Sequence, residues 1–214
     1  MARITGLKPG RSRAKRVNIS LDGRPALSIE AEVYAREMPR VGQELSQDQI
    51  EALKRQDERQ RCHNTASRYL AYRPRSASEL RQRLLKRGFN AETIGVVIAE
   101  LAEKGLVDDA AFARFWKENR DTFSPRSRWL VSAELRQKGV AADVIEQVTG
   151  QADDSQSAYR AAQKKAGRLP LGDYQVFRRR LGDFLKRRGY GYEVVQETVS
   201  RLWRELGGAE EQLP

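Results

Sequence analysis

Three triplets of residues share one spacing: Leu80, Leu84 and Gly88; Val131, Leu135 and Gly139; Leu181, Leu185 and Gly189. The glycines fall 51 and 50 residues apart (88, 139, 189). Apolar side chains four residues apart lie on one helix face, and a glycine one turn later takes the left-handed conformation that ends a helix without a Cβ clash. A second pattern follows each glycine. Phe89, Glu92, Ile94, Ile98 and Leu101 match Val140, Asp143, Ile145, Thr149 and Ala152, and then Tyr190, Glu193, Val195, Val199 and Leu202. Each copy reads as helix, glycine turn, helix. The second copy matches least well, because Thr149 and Ala152 stand where the others carry larger apolar residues.

The acids at 92, 143 and 193 fall in the first turn of a helix, and Lys86, Arg87, Lys138, Arg187 and Arg188 fall in the last turn before a glycine. Complementation of the helix dipole accounts for those charges. A third helix precedes each pair, at 66–72, 109–120 and 155–166, which gives three helices per unit of roughly 50 residues. Turn chemistry agrees: Pro74 blocks helix, Ser76-Ala77-Ser78-Glu79 has the form of a capping box, and Ser124-Pro125 and Leu169-Pro170 place proline at a helix's first turn. The expected fold is mainly α, with tandem three-helix repeats stacked into an elongated, curved array. The repeats are assigned to 66–108, 109–153 and 154–206, with a short tail at 207–214.

Ahead of the repeats the text differs. Val17, Ile19 and Leu21, the turn dipeptide Asp22-Gly23, then Leu27 and Ile29 alternate as a β-hairpin does, and Ile4 to Leu7 adds a third short strand. So small a sheet needs a covering partner. Residues 1–45 are therefore read as an N-terminal hairpin or three-stranded cap with a basic tail, and 46–65 as a connecting helix. Ser46-Gln47-Asp48-Gln49 opens that helix as a capping box, and Ile50 and Leu53 begin its apolar stripe. Lys54 to Thr65 is mostly charged and polar, as in a solvated rod.

The chemistry this chain can carry is narrow. Cys62 is the only cysteine and His63 the only histidine, which excludes a disulfide or a Cys/His zinc cluster within one chain. Adjacent helical residues point about 100° apart, unsuited to a Cys-His dyad. Asp108-Asp109, the one acidic pair that points toward metal or acid/base chemistry, stands at a helix start, where capping accounts for it. No GxxxxGK[ST], GxSxG or HExxH constellation is present. The residues from Met1 to Arg16 have no apolar run of a secretory signal, and no window reaches the length of a membrane span, so a cytoplasmic location is the default expectation. Forty Lys and Arg against 29 Asp and Glu give a formal charge of +11, which attracts nucleic acid or an acidic protein groove.

Several segments carry a family resemblance: Arg75-Ser76-Ala77-Ser78-Glu79-Leu80, the junction Gly105-Leu106-Val107-Asp108-Asp109-Ala110-Ala111-Phe112-Ala113, Glu134-Leu135-Arg136-Gln137-Lys138-Gly139-Val140, and Arg187-Arg188-Gly189-Tyr190. In that order they resemble the RecX family of bacterial regulatory proteins, over most of the chain. The hairpin is similar to the extension of longer members. Ser127 departs from the glycine the family often has after the loop proline. The resemblance implies a non-enzymatic protein, without cofactor or metal, that binds RecA recombinase or its filament on DNA and restrains filament growth, ATPase and strand exchange in recombinational repair. It implies contact with DNA directly or through the filament, no membrane, and a monomer. The runner-up is a protein that acts by occupying DNA itself.

Two basic sets compete as the partner contact. One is Arg126, Arg128, Arg136 and Lys138 in the central unit, with Trp129 beside them either as an anchoring ring or as a core residue. The other is Arg178, Arg179, Arg180, Lys186, Arg187 and Arg188, which circle a helix and so cannot all face one partner. The central unit, which departs most from the apolar pattern, is the first expectation for contact.

Overall fold

The computed structural model describes residues 1–10 and 16–207, which form two compact units. The first comprises Met1–Arg75 and Glu79–Val107, and the second Ser76–Ser78 and the chain from Asp108 onward. Arg11, Arg13 and Lys15 of the expected basic tail, and positions 208–214, lie outside the described residues.

In the first unit, strands β1 (Ala2–Pro9), β2 (Arg16–Leu21), β3 (Arg24–Glu30) and β4 (Glu44–Leu45) make an antiparallel sheet of order β3-β2-β1-β4. The hairpin between β2 and β3 turns on Asp22 (φ 48°) and Gly23 (φ 78°), the two left-handed residues that match the twist of paired strands. The sheet has four strands where a hairpin or three-stranded cap is expected, and β1 fills most of what reads as a tail. A register shift between Ile4 and Gly6 breaks the alternation of β1, and β4 is too short to show any period. Ile4, Ile19, Leu21, Ile29 and Leu45 of the sheet pack with Val33 of α1 (Ala31–Glu37) and with Ile50 and Leu53 of α2 (Gln47–Tyr72).

Helix α2 begins at the expected box: Ser46 Oγ accepts the Gln49 N–H, and the Gln49 side chain accepts the Ser46 N–H. It then runs unbroken for 26 residues, so 66–72 is its last part and not a separate helix. Nor is Lys54 to Thr65 a solvated rod. Leu53 and Asp57 are buried on the face toward the sheet, and Cys62 and Ala66 are buried on the opposite face. Asp57 hides this in the sequence: its carboxylate accepts the Glu30 N–H at 2.7 Å and Arg16 Nη2 at 3.2 Å, so a charged residue does a core residue's work. Helices α3 (Ala77–Leu85) and α4 (Ala91–Glu103) follow, joined by a turn at Gly88.

The second unit contains α5 (Asp109–Phe123), α6 (Arg128–Gln137) and α7 (Ala142–Thr149), then α8 (Asp154–Ala166), α9 (Tyr174–Lys186) and α10 (Tyr192–Glu205). Asp108 caps α5 by accepting the Ala110 and Ala111 N–H groups, as expected, while Asp109 accepts the Ala77 N–H. The prolines are placed differently from expectation. Ser127 caps α6 and Asp173 caps α9, so Pro125 and Pro170 lie in the preceding loops and not in the first turns. A capping side chain satisfies free N–H groups that a first-turn proline merely lacks.

The central repeat has a small core, formed by Phe112, Ala113, Val131, Leu135, Val140 and Ile145. Its weak sequence match has a structural reason. Helix α7 has 8 residues against 13 in α4 and 14 in α10, and Thr149 at its end shares a buried 3.1 Å hydrogen bond with Ser132 where its counterparts make apolar contacts. The last repeat is packed more heavily. Trp203 lies edge-on to Tyr174 and Phe177 at centroid distances of 5.3 and 5.1 Å.

Gly88, Gly139 and Gly189 all have left-handed backbone, with φ of 87°, 76° and 85°. Two of them also sit against a neighbour. A Cβ at Gly139 would lie 2.4 Å from Ser78 Cβ, and one at Gly189 would lie 2.6 Å from Ser127 Oγ, whereas nothing stands near Gly88. Matching hydrogen bonds accompany these approaches. Ser76 Oγ donates to Lys138 O at 2.7 Å, and the Ser127 N–H donates to Arg188 O at 3.0 Å. The Arg128 N–H donates to Asp154 at 2.7 Å, repeating the bond from Ala77 to Asp109. The same joint thus occurs twice, with Ser76 and Ala77 in one place and Ser127 and Arg128, 51 residues on, in the other.

Candidate partner-binding surface

Glu134 on α6 organises the surface of the central repeat. Its carboxylate accepts Trp116 Nε1 at 2.7 Å and Arg120 Nε at 2.8 Å, both from α5, and also pairs with Arg126 Nη1. Trp116 and Arg120 are one turn apart and so reach Glu134 together. Arg120 Cζ lies 4.6 Å and Lys138 Nζ 4.1 Å from the Trp116 ring centroid, where the electron-rich face attracts cations. Burial, with Arg120 and Arg188 nearby, holds the Arg126 guanidinium pKa below its usual value; burial does the same to Arg120. One carboxylate therefore serves several cations, and the surroundings keep a positive field.

The two basic sets meet here, although about 60 residues separate them. Arg188 Nη1 donates to Ser124 Oγ at 2.9 Å and to Pro125 O at 3.1 Å, with its guanidinium 4.4 Å from the Phe184 ring. The turn that carries Arg187 and Arg188 lies beside Trp129: a Cβ at Gly189 would come within 3.3 Å of the indole. Trp129 is 65% exposed, which decides against a core role. Arg128, Arg136 and Arg187 are also exposed, and Arg136 and Arg187 make no ion pair among the described residues. Arg126, Lys138 and Arg188 are instead engaged in local contacts. Arg128 opens α6, where its side chain donates to Gly150 O at 3.2 Å, and Arg136 lies about 12 Å further along the helix. Sequence reasoning singled out neither Trp116 nor Arg120; their spacing of four on an amphipathic helix is the signal available for them.

Such a surface offers an exposed indole at 129 and exposed guanidiniums at 128, 136 and 187 on the same helix and the adjoining turn, groups suited to grip a carboxylate-bearing or phosphate-bearing partner. Cys62 lies in the first unit, where burial raises its thiol pKa to about 11, and burial lowers the His63 pKa. Among the described residues no group of three His, Cys, Asp or Glu is placed to hold a metal ion, and no helix is long and apolar enough to cross a membrane.

The buried thiol has a measurable consequence. Its folded pKa stands above the usual thiol value, and burial likewise raises the Tyr190 phenol to about 12. The stabilisation from keeping each group neutral is complete below its ordinary pKa and is lost as pH rises through the folded one. Stability is therefore expected to fall between about pH 9 and 12, followed as the urea midpoint, and Cys62 should react with a thiol reagent at neutral pH only once the chain is unfolded.

The match to known proteins follows the repeats. Three family models align in order: the RecX first three-helix domain to residues 62–101, the second to 108–148 and the third to 152–199. The chain belongs to the RecX family. The regulatory protein RecX of Amycolatopsis mediterranei is 39% identical over 141 residues, covering 64% of this chain and 81% of that protein. The regulatory protein RecX of Chlorobaculum tepidum is 34% identical over 148 residues, covering 69% and 92%. A crystal structure of a regulatory protein RecX superposes with a TM-score of 0.65 at 21% identity, covering 99% of this chain and 96% of that one, which shows a shared fold. The first RecX model begins at residue 62, inside α2, where the structure also shows no break.

Proposed function

We propose that this RecX-family protein is a non-enzymatic regulator that binds RecA or the RecA–DNA filament and restrains filament growth, ATPase and strand exchange. The three RecX domains in unbroken order carry the reading. The exposed cluster of Arg128, Trp129, Arg136 and Arg187 supports placing the contact on the central repeat and the adjoining turn of the last one. Exposed guanidiniums around an aromatic anchor give hot-spot energetics, and the cations tied to Glu134 steer an acidic partner toward them.

The test is the DNA-dependent ATPase of RecA with the protein added. The rate is expected to fall in proportion to bound protein, and an unchanged rate and filament length across a wide concentration range would sink the proposal. The variant Arg128→Glu/Arg136→Glu is expected to need at least tenfold more protein for the same effect. Arg126 is unsuitable for charge reversal because a glutamate there would set a second carboxylate against Glu134. Direct contact with DNA is the second reading, favoured by the formal charge of +11. It predicts affinity for bare DNA that weakens steeply with salt.

A further inference from the structure

The first unit holds a cleft of about 410 Å³ remote in sequence from the surface described above. Helix α2 supplies one wall through Arg61, Asn64, Thr65 and Arg68, whose spacing puts them on one face, while Cys62 and Ala66 turn into the core. The turn between α3 and α4 supplies Arg87 and Phe89. A second cleft of about 310 Å³, sharing Arg61, Arg87 and Phe89, continues it toward β3.

The charges there are unbalanced. Glu30, the acid of the first cleft, is held by Arg16 Nη1 at 2.6 Å. Asp57 is engaged by the Glu30 N–H and by Arg16, and stands 3.9 Å from Arg61. Glu58, in the continuation, accepts the backbone and side-chain N–H groups of Asn90 at 3.2 and 2.8 Å. Arg68 and Arg87 instead donate to neutral oxygens, Thr65 Oγ1 at 3.3 Å and Tyr69 OH at 3.0 Å, and keep further donors open. Arg61 and Arg68 stand two helical turns apart, about 10 Å along the axis. Phe89 is half-buried, with Arg61 Cζ 5.9 Å from its ring.

We propose that this cleft binds a single strand of nucleic acid, with successive phosphates on Arg61, Arg68 and Arg87 and a base against Phe89. Guanidiniums tracking a flexible backbone beside an aromatic platform are how sequence-tolerant single-strand sites are built. An acidic peptide would use the arginines but offers no planar face for the ring, and a duplex keeps its base faces stacked away from it. The assignment rests on the direct DNA-contact reading and gives it a location.

The test is fluorescence anisotropy of a labelled oligothymidylate with the full chain over a salt series. Arg61→Gln/Arg68→Gln/Arg87→Gln, three exposed positions, should keep the native urea midpoint, weaken binding at least tenfold, and flatten the log-log salt slope by about 2, since each single-strand phosphate contact contributes roughly 0.7. Phe89→Leu should weaken binding about tenfold with the slope unchanged. Wild-type affinity and slope in the triple variant overturn the site while leaving DNA contact standing. No binding by the wild-type chain overturns both. Polyglutamate displacing the label as well as unlabelled oligothymidylate does overturns the choice of a nucleic acid.

Discussion

Gly139→Ala is expected to destabilise the second unit by roughly 2–5 kcal/mol, and Gly88→Ala by only about 1 kcal/mol. Both residues have φ near 80°, where a Cβ is strained whatever surrounds it. Only at 139 does the added methyl also run into something. Ser78 Cβ stands 2.4 Å from it and is one bond from the backbone, so no rotamer change clears the way. Relief requires separating the turn from Ser76–Ser78, which also stretches the 2.7 Å bond from Ser76 Oγ to Lys138 O. Urea denaturation of the two variants beside wild type measures the difference. Equal losses would show that the left-handed backbone alone matters and that the repeat joint carries no packing load.

Trp203→Ala is expected to cost about 3–5 kcal/mol, with most of the loss in the last repeat. The indole is fully buried and closes a cluster with Tyr174 and Phe177, and no shorter side chain reaches both rings. Trp129→Ala is the natural control. Its ring is 65% exposed, so stability should change by no more than about 0.5 kcal/mol while the effect on RecA is lost. A Trp129→Ala protein that loses as much stability as Trp203→Ala would refute the assignment of the first ring to a partner and the second to the core.

These contrasts also mark what was legible in the sequence. The repeat and its glycine turns were, because an i, i+4 apolar pair and an obligatory left-handed residue are local requirements that recur with the unit. The caps at Ser46 and Asp108 were for the same reason. What escaped depends on partners distant in the chain. Asp57 reads as solvated until Arg16 and the Glu30 N–H are brought to it. Strand β1 hides behind a bulge, and β4 has only two residues. Pro125 and Pro170 read as first-turn residues, but Ser127 and Asp173 offer better caps a few positions on.

At the candidate surface the basic residues can be named from the sequence, but which of them are held in local contacts cannot. Arg126, Lys138 and Arg188 look interchangeable with Arg128, Arg136 and Arg187 in composition. They separate only because Glu134, Trp116 and the Ser124–Pro125 loop occupy the first three. The meeting of the two basic sets likewise depends on the docking of Gly189 against α6, which no local pattern encodes.

Contact between RecA and the central repeat is tested most directly by cross-linking mass spectrometry of the full chain on RecA filaments assembled on single-stranded DNA. Lys138 and Lys186, which flank the exposed arginine and tryptophan cluster, are expected to give the dominant cross-links to RecA, well above those from Lys8 and Lys54 in the first unit. Cross-links to RecA confined to Lys8 and Lys54, or none above the level seen with DNA-free RecA and an unrelated basic protein, would contradict that placement.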